Sequence, residues 1–266
     1  MVSARADATL SHLRQAVATI EKNTGFSEDA GVLPVGLAPL DAVLAGGLAR
    51  AAVHEIAPAA PAHFGAMTGF ALAISALAVA HKDARGRPAL VIQTDYAALE
   101  AGGLYGPGLE AFGLPMKSLI LLRVPRPIDV LWAFEEALKS RGVAIMIAEL
   151  PEVGAVADLT VTQRLTLAAR VGGGIGLLLR HRPSPLATAA TTRWEIASAP
   201  SAPDRYGGLG RTTFDLALNR NKRGRCGRFI ACWDHHEHVF LPALSLGVAA
   251  TVVDGSPPPR LLAHVG

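Results

Sequence analysis

The chain has 266 residues, half of them hydrophobic and 18% charged, with a formal net charge of +3. That composition allows a large α/β core and, with only Cys226 and Cys232, argues against a disulfide framework. The longest apolar helical run, Phe70 to Ala80, falls short of the roughly 20 residues of a bilayer span, and Met1 to Asp7 has no basic-then-apolar leader. The expectation is therefore a cytoplasmic protein without a membrane partner.

Residues 7 to 22 carry Leu10, Leu13, Val17 and Ile20 at helical spacing. They predict an amphipathic helix in a first unit, 1–24, whose stripe packs either on its own core or on a partner. Residues 25–34 read as a linker. A core over 35–242 follows, in which apolar strands alternate with helices. The strands are Val53 to Ile56, Ala89 to Thr94, Leu119 to Val124, Val143 to Glu149 and Gly176 to Arg180. The helices are Thr68 to Lys82, a glycine-broken Leu99 to Phe112, Ile128 to Ser140 and Thr160 to Val171. This order predicts a mostly parallel sheet covered on both faces. Gly172 to Gly176 reads as a helix stop, because it precedes a strand instead of following one.

Past Arg182 the pattern changes to antiparallel strands. Arg193 to Ala197 is one, with Trp194 expected in the core. Arg211 to Asn219 and Gly227 to Trp233 flank Asn221-Lys222-Arg223-Gly224-Arg225, a hairpin over 211–233 with a basic tip. From Asp204 to Arg228 there are seven basic residues against two acids. Such a cluster suits a nucleic acid or phosphate, or is simply a solvated turn. A loosely held tail, 243–266, closes the chain. Cys226, Cys232, His235, His236 and His238 lack the spacing of a zinc site, so no metal is expected.

The run after Val53 to Ile56 is the chemically informative one. A phosphate-binding loop needs glycines for close backbone approach, a lysine for the β/γ-phosphates and a Ser/Thr for magnesium. Here Ala57 to Thr68 offers Pro58, Pro61 and Ala66, with Gly65 and Thr68 as remnants, and no lysine occurs between Lys22 and Lys82. Thr68 reads as the N-cap of the helix that follows.

Gly36 to Ile56, Ile92-Gln93-Thr94-Asp95, Ile145 to Glu149, Ala190 to Ile196 and Arg220-Asn221-Lys222 together resemble a RecA-like core. Gln163 to Ala169, Leu177 to Arg180, Thr192-Arg193-Trp194 and Asn219 to Arg225 in series resemble the ImuA family, RecA-like accessory proteins of a bacterial error-prone DNA-synthesis cassette. The resemblance implies a role in SOS-induced mutagenesis and translesion synthesis. It also implies association with a catalytically inactive Y-family polymerase homologue (ImuB-like) and a DnaE-type error-prone polymerase, with RecA and DNA as further partners. By the same resemblance Asp95 stands at the position of a catalytic carboxylate and Glu149 at the end of a Walker B strand. Lys222 stands in a run that reaches ATP in a neighbouring subunit.

Without the lysine little remains to hold a γ-phosphate, so a non-catalytic adaptor is expected, with no cofactor and no catalytic residue. Its contacts would be the N-terminal stripe and Arg180, Arg182, Arg193, Arg220, Asn221, Lys222, Arg223, Arg225 and Arg228. The alternatives are a DNA-dependent ATPase using ATP, magnesium, Asp95 and Glu149, and a DNA-binding module acting through the hairpin.

Overall fold

The computed structural model describes residues 30–151, 159–204 and 206–243. The expected N-terminal helix with Leu10, Leu13, Val17 and Ile20, and the tail from 244 onward, lie outside the described residues.

A two-stranded antiparallel sheet, β1 (Val32–Leu33) with β2 (Leu48–Ala49), brackets a short helix, α1 (Ala38–Val43). None of the three was foreseen. Leu33, read as part of a linker, is buried in the core beside Val35. In α1, Pro39 presets the first turn. Asp41 accepts from the Val35 and Gly36 N–H groups at 2.9 Å each, which fixes the approach of the chain.

The main sheet has nine strands among the described residues, in the order β11-β10-β9-β8-β3-β7-β6-β4-β5. Strands β3 (Ala52–Pro58), β4 (Ala89–Thr94), β5 (Leu119–Val124), β6 (Ile145–Leu150), β7 (Ile175–Arg180) and β8 (Thr192–Ser198) run parallel. Strands β9 (Thr212–Asn221), β10 (Gly227–Asp234) and β11 (Val239–Pro242) continue the sheet antiparallel. The expected α/β architecture with a C-terminal antiparallel hairpin is therefore present, with β11 as an additional strand.

One face is covered by α2 (Phe64–Ala80), which packs against β3, β8, β6 and β7. Ile56, Ile74, Leu177, Trp194, Phe214 and Trp233 share this core. With the 3-10 turn Pro61–His63 before it, the helix reaches 20 residues, long and apolar enough by composition to cross a membrane. The shorter apolar run expected from the sequence is thus an underestimate. Half of that stretch is buried inside the fold, as suits the central helix of an α/β core. The other face is covered by α5 (Pro127–Lys139) and α6 (Leu159–Gly172), whose Val130, Phe134, Leu138 and Leu165 pack on Val53, Ile92, Met146 and Leu178. A Cβ at Gly172 would lie 2.0 Å from the Leu138 carbonyl oxygen, so only glycine allows this approach of α6 to α5.

Between β4 and β5 lie two short helices, α3 (Asp95–Ala101) and α4 (Gly106–Ala111). Strand β5 departs from expectation. Its apolar sequence predicts burial, yet among the described residues it forms the unpaired edge of the sheet. Ile120 is 48%, Leu121 40% and Leu122 38% exposed.

Candidate functional site

The residues singled out by sequence fall at opposite ends of the parallel strands. At the C-terminal end, where open α/β sheets bind ligands, β3 runs into the position of the phosphate loop. There the cradle is dismantled. Pro58 and Pro61 have no N–H to offer. The Ala59 N–H is spent on the Ile196 carbonyl at 2.8 Å, and the His63 N–H on the Ala60 carbonyl at 2.8 Å. Helix α2 then begins at Phe64, four residues before the expected Thr68. Thr68 is therefore not an N-cap: it lies inside the helix and its hydroxyl donates to the Phe64 carbonyl at 3.2 Å. Gly65 lies in the first turn of the same helix.

The two candidate acids are not brought together around a common atom. Glu149, at the end of β6, bonds the His181 Nε2 at 3.0 Å. The His181 ring in turn meets Phe64 edge-on, with centroids 4.9 Å apart. A packed Phe64–His181–Glu149 chain thus joins α2, β7 and β6 at the end of the sheet where a nucleotide would have to enter. Gln93, beside Glu149 in the sheet, is buried, and its Oε1 has no partner among the described residues. Asp95 is exposed in the first turn of α3, which Thr94 caps by accepting from the Ala97 N–H at 3.0 Å. Such an acid favours the positive end of a helix and needs no catalytic role.

Three of the expected contact residues are turned inward. Glu55, only 1% exposed on β3, accepts from Arg180 at 2.9 Å and from Arg193 at 2.8 Å. Arg193 also donates to the Ser184 and Leu186 carbonyls. Both guanidinium groups are therefore committed to the fold. A buried carboxylate needs paired cations. The only signal for it in the sequence was one acid inside an apolar strand. Asn221 likewise faces in, donating to the Val43 carbonyl at 2.9 Å and the Arg225 carbonyl at 3.1 Å. On β10, Arg228 is held in a two-point pair by Asp215 on β9, at 2.7 and 2.5 Å. Arg182 is exposed at the start of the loop after β7.

At the N-terminal end, the β9–β10 turn carries Arg220, Lys222, Arg223 and Arg225, all exposed. The Lys222 ammonium donates to the Ala189 carbonyl. Burial first, and then the charges of Arg220 and Arg170, hold its pKa below the usual value. Trp194 is buried, as expected, with its indole N–H on Thr192 at 2.7 Å, so it is not a stacking platform. Among the described residues no group of three or more His, Cys, Asp or Glu is placed to hold a metal ion.

No family model matches the chain. It is 36% identical over 138 residues to Protein ImuA of Caulobacter vibrioides, in strain NA1000 / CB15N and equally in strain ATCC 19089. The match covers 48% of this chain and 55% of that protein. A shorter stretch of 94 residues is 33% identical to the cell division inhibitor SulA of Edwardsiella piscicida, covering 35% of this chain and 54% of SulA. The chain thus spans about half the length of the curated relatives it matches, and over that half it is ImuA-like.

Proposed function

We propose that the chain is a non-catalytic, RecA-like adaptor in an SOS-associated damage response, acting in mutagenic translesion synthesis. Likeness to ImuA, and over a shorter stretch to SulA, supports the setting. The adaptor reading is supported by a loop with prolines at two positions and the Ala59 and His63 N–H groups spent, and by a Glu149 engaged with His181.

The observation that carries the reading is the bare β5 edge. A long, exposed, apolar edge strand is a template for pairing, and proteins that leave one uncovered usually have something to put on it. Six residues of strand extend about 20 Å, enough for an extended segment of another protein to add as a further strand. Exposed Leu99, Tyr105 and Met116 in the segment leading into β5 add apolar surface for its side chains. The partners that fit are those the resemblance implies, a catalytically inactive Y-family polymerase homologue and a DnaE-type error-prone polymerase.

Ile120 and Leu122 lie on one face of β5, opposite Leu90 and Ile92 of β4. The double change Ile120→Lys, Leu122→Lys should leave the fold intact, since these edge positions are 48% and 38% exposed and a lysine stem can lie along the surface with its ammonium in water. It should weaken co-purification with the polymerase homologue of the same organism at least about tenfold, a loss of about 1.4 kcal/mol. Undiminished capture by the folded variant removes β5 as the docking edge.

A further inference from the structure

We infer that the β9–β10 turn is a binding surface for the phosphate backbone of nucleic acid, separate from the protein-docking edge at β5. Its charge is clustered and left without carboxylate partners, whereas many of the arginines elsewhere are paired. Arg180 and Arg193 are paired with Glu55, Arg211 with Asp234, Arg228 with Asp215, Arg126 with Asp129, and Arg164 and Lys139 with Glu135. Arg220, Lys222, Arg223 and Arg225 have no carboxylate partner among the described residues. They stand within six positions of one another, and mutual repulsion is the cost of that arrangement.

The turn that carries them is also held rigid. The Lys222 N–H donates to the Thr191 carbonyl at 2.9 Å, and the Arg223 N–H to the Asn221 Oδ1 at 3.0 Å. Asn221 ties the turn to the end of α1 through the Val43 carbonyl. A Cβ at Gly224 would lie 2.5 Å from that same oxygen, so the tip rests backbone-on-backbone against α1. A merely solvated hairpin tip needs no such anchoring. Guanidinium groups carried on an anchored turn suit phosphate oxyanions, which accept two parallel N–H bonds from arginine. No exposed aromatic side chain occurs in the turn, between Arg220 and Arg228. Binding therefore runs through the backbone without base stacking, and duplex serves as well as single strand.

The test is fluorescence anisotropy of a labelled duplex of about 20 base pairs with the full-length protein, titrated between about 50 and 200 mM salt. Four phosphate contacts give a slope of log affinity against log salt of roughly −3 to −4. Arg223→Gln with Arg225→Gln removes two cations without touching the anchoring bonds. It should flatten the slope by about 2 and weaken binding at least about tenfold at the lower salt. Lys117→Gln, far off at the start of β5, should change affinity less than about twofold. A wild-type slope flatter than about −1, or a double variant that binds as the wild type does, overturns the inference. So does displacement of the duplex by magnesium-ATP at about millimolar concentration, which assigns the turn to nucleotide. Displacement by poly-glutamate as readily as by unlabelled duplex assigns it to acidic protein, and equally overturns it.

Discussion

His54 is buried on β3 with both ring nitrogens engaged, and the direction of every bond around it is determined. The Trp194 indole N–H can only donate, and does so to the Thr192 hydroxyl at 2.7 Å. That hydroxyl is left to donate to His54 Nδ1 at 2.7 Å, while Nε2 must donate to the Ala49 carbonyl at 2.9 Å. A second proton on the ring would reverse the bond at Nδ1 and take from the Thr192 hydroxyl hydrogen the acceptor it has there. Burial, with a smaller contribution from the charge of Arg223, pushes the pKa from 6.5 down to about 4. Above pH 6.5 the imidazole is neutral whether the chain is folded or not, and the contribution to stability is complete. As pH falls from 6.5 towards about 4, the unfolded chain gains a proton that the folded one does not accept, so stability is lost. At about 1.4 kcal/mol per pH unit the loss approaches roughly 3 kcal/mol by pH 4. Urea unfolding midpoints should fall over this range, and His54 should keep its neutral imidazole NMR shifts at pH 5. A His54 that titrates near pH 6.5 refutes the network. None of this was visible in the sequence. His54 looked like one more residue in a strand, because Ala49 meets it only across the bend at Arg50-Ala51 and Thr192 only across the sheet.

At the scale of elements, legibility followed length and periodicity. Strands β4 and β5 have the residues expected of them, and α5, α6 and β7 differ by one residue or so at an end. What was missed is short. Helix α1 has six residues and β1, β2 and β11 have two to four, too few to show a period. Leu37, Leu40 and Leu44, all buried around α1, were the available signal. The start of α2 was misplaced because Ala59 to Ala66 holds no conventional cap, and Pro61 in a 3-10 turn takes over that task. The β9–β10 hairpin was legible in place but not in detail, since its tip is fixed by α1, an element the sequence did not reveal. That attachment can be tested directly. Gly224→Val drives a branched side chain into the Val43 carbonyl and should cost about 1–3 kcal/mol in urea unfolding, comparable to overpacking a core. An unchanged midpoint would show that the tip does not rest on α1.

Across the whole molecule, the features read as one nucleotide-dependent machine sit far apart. The altered loop, Glu149 and Asp95 are at the C-terminal end of the parallel strands, Lys222 and its neighbours at the N-terminal end, and the apolar edge to one side. The sequence could order these pieces along the chain but not in space, and by the resemblance Lys222 was expected to reach ATP in a neighbouring subunit, not beside the acids of its own chain. Calorimetric titration of about 100 μM protein with magnesium and a non-hydrolysable ATP analogue should give no saturable heat, placing any affinity weaker than roughly millimolar, about −4 kcal/mol. Saturable binding would require the Pro58 to Phe64 segment to rearrange and would return the ATPase reading to the front.

The bare β5 edge also bears on how long the chain survives alone. Leu119-Ile120-Leu121-Leu122 is a short, uncharged, β-prone run without proline, and strands of this kind stack with copies of themselves when nothing else occupies them. Chains made in excess of their partner would be withdrawn by precipitation or by proteolysis. The amount of soluble protein would then track the scarcer component.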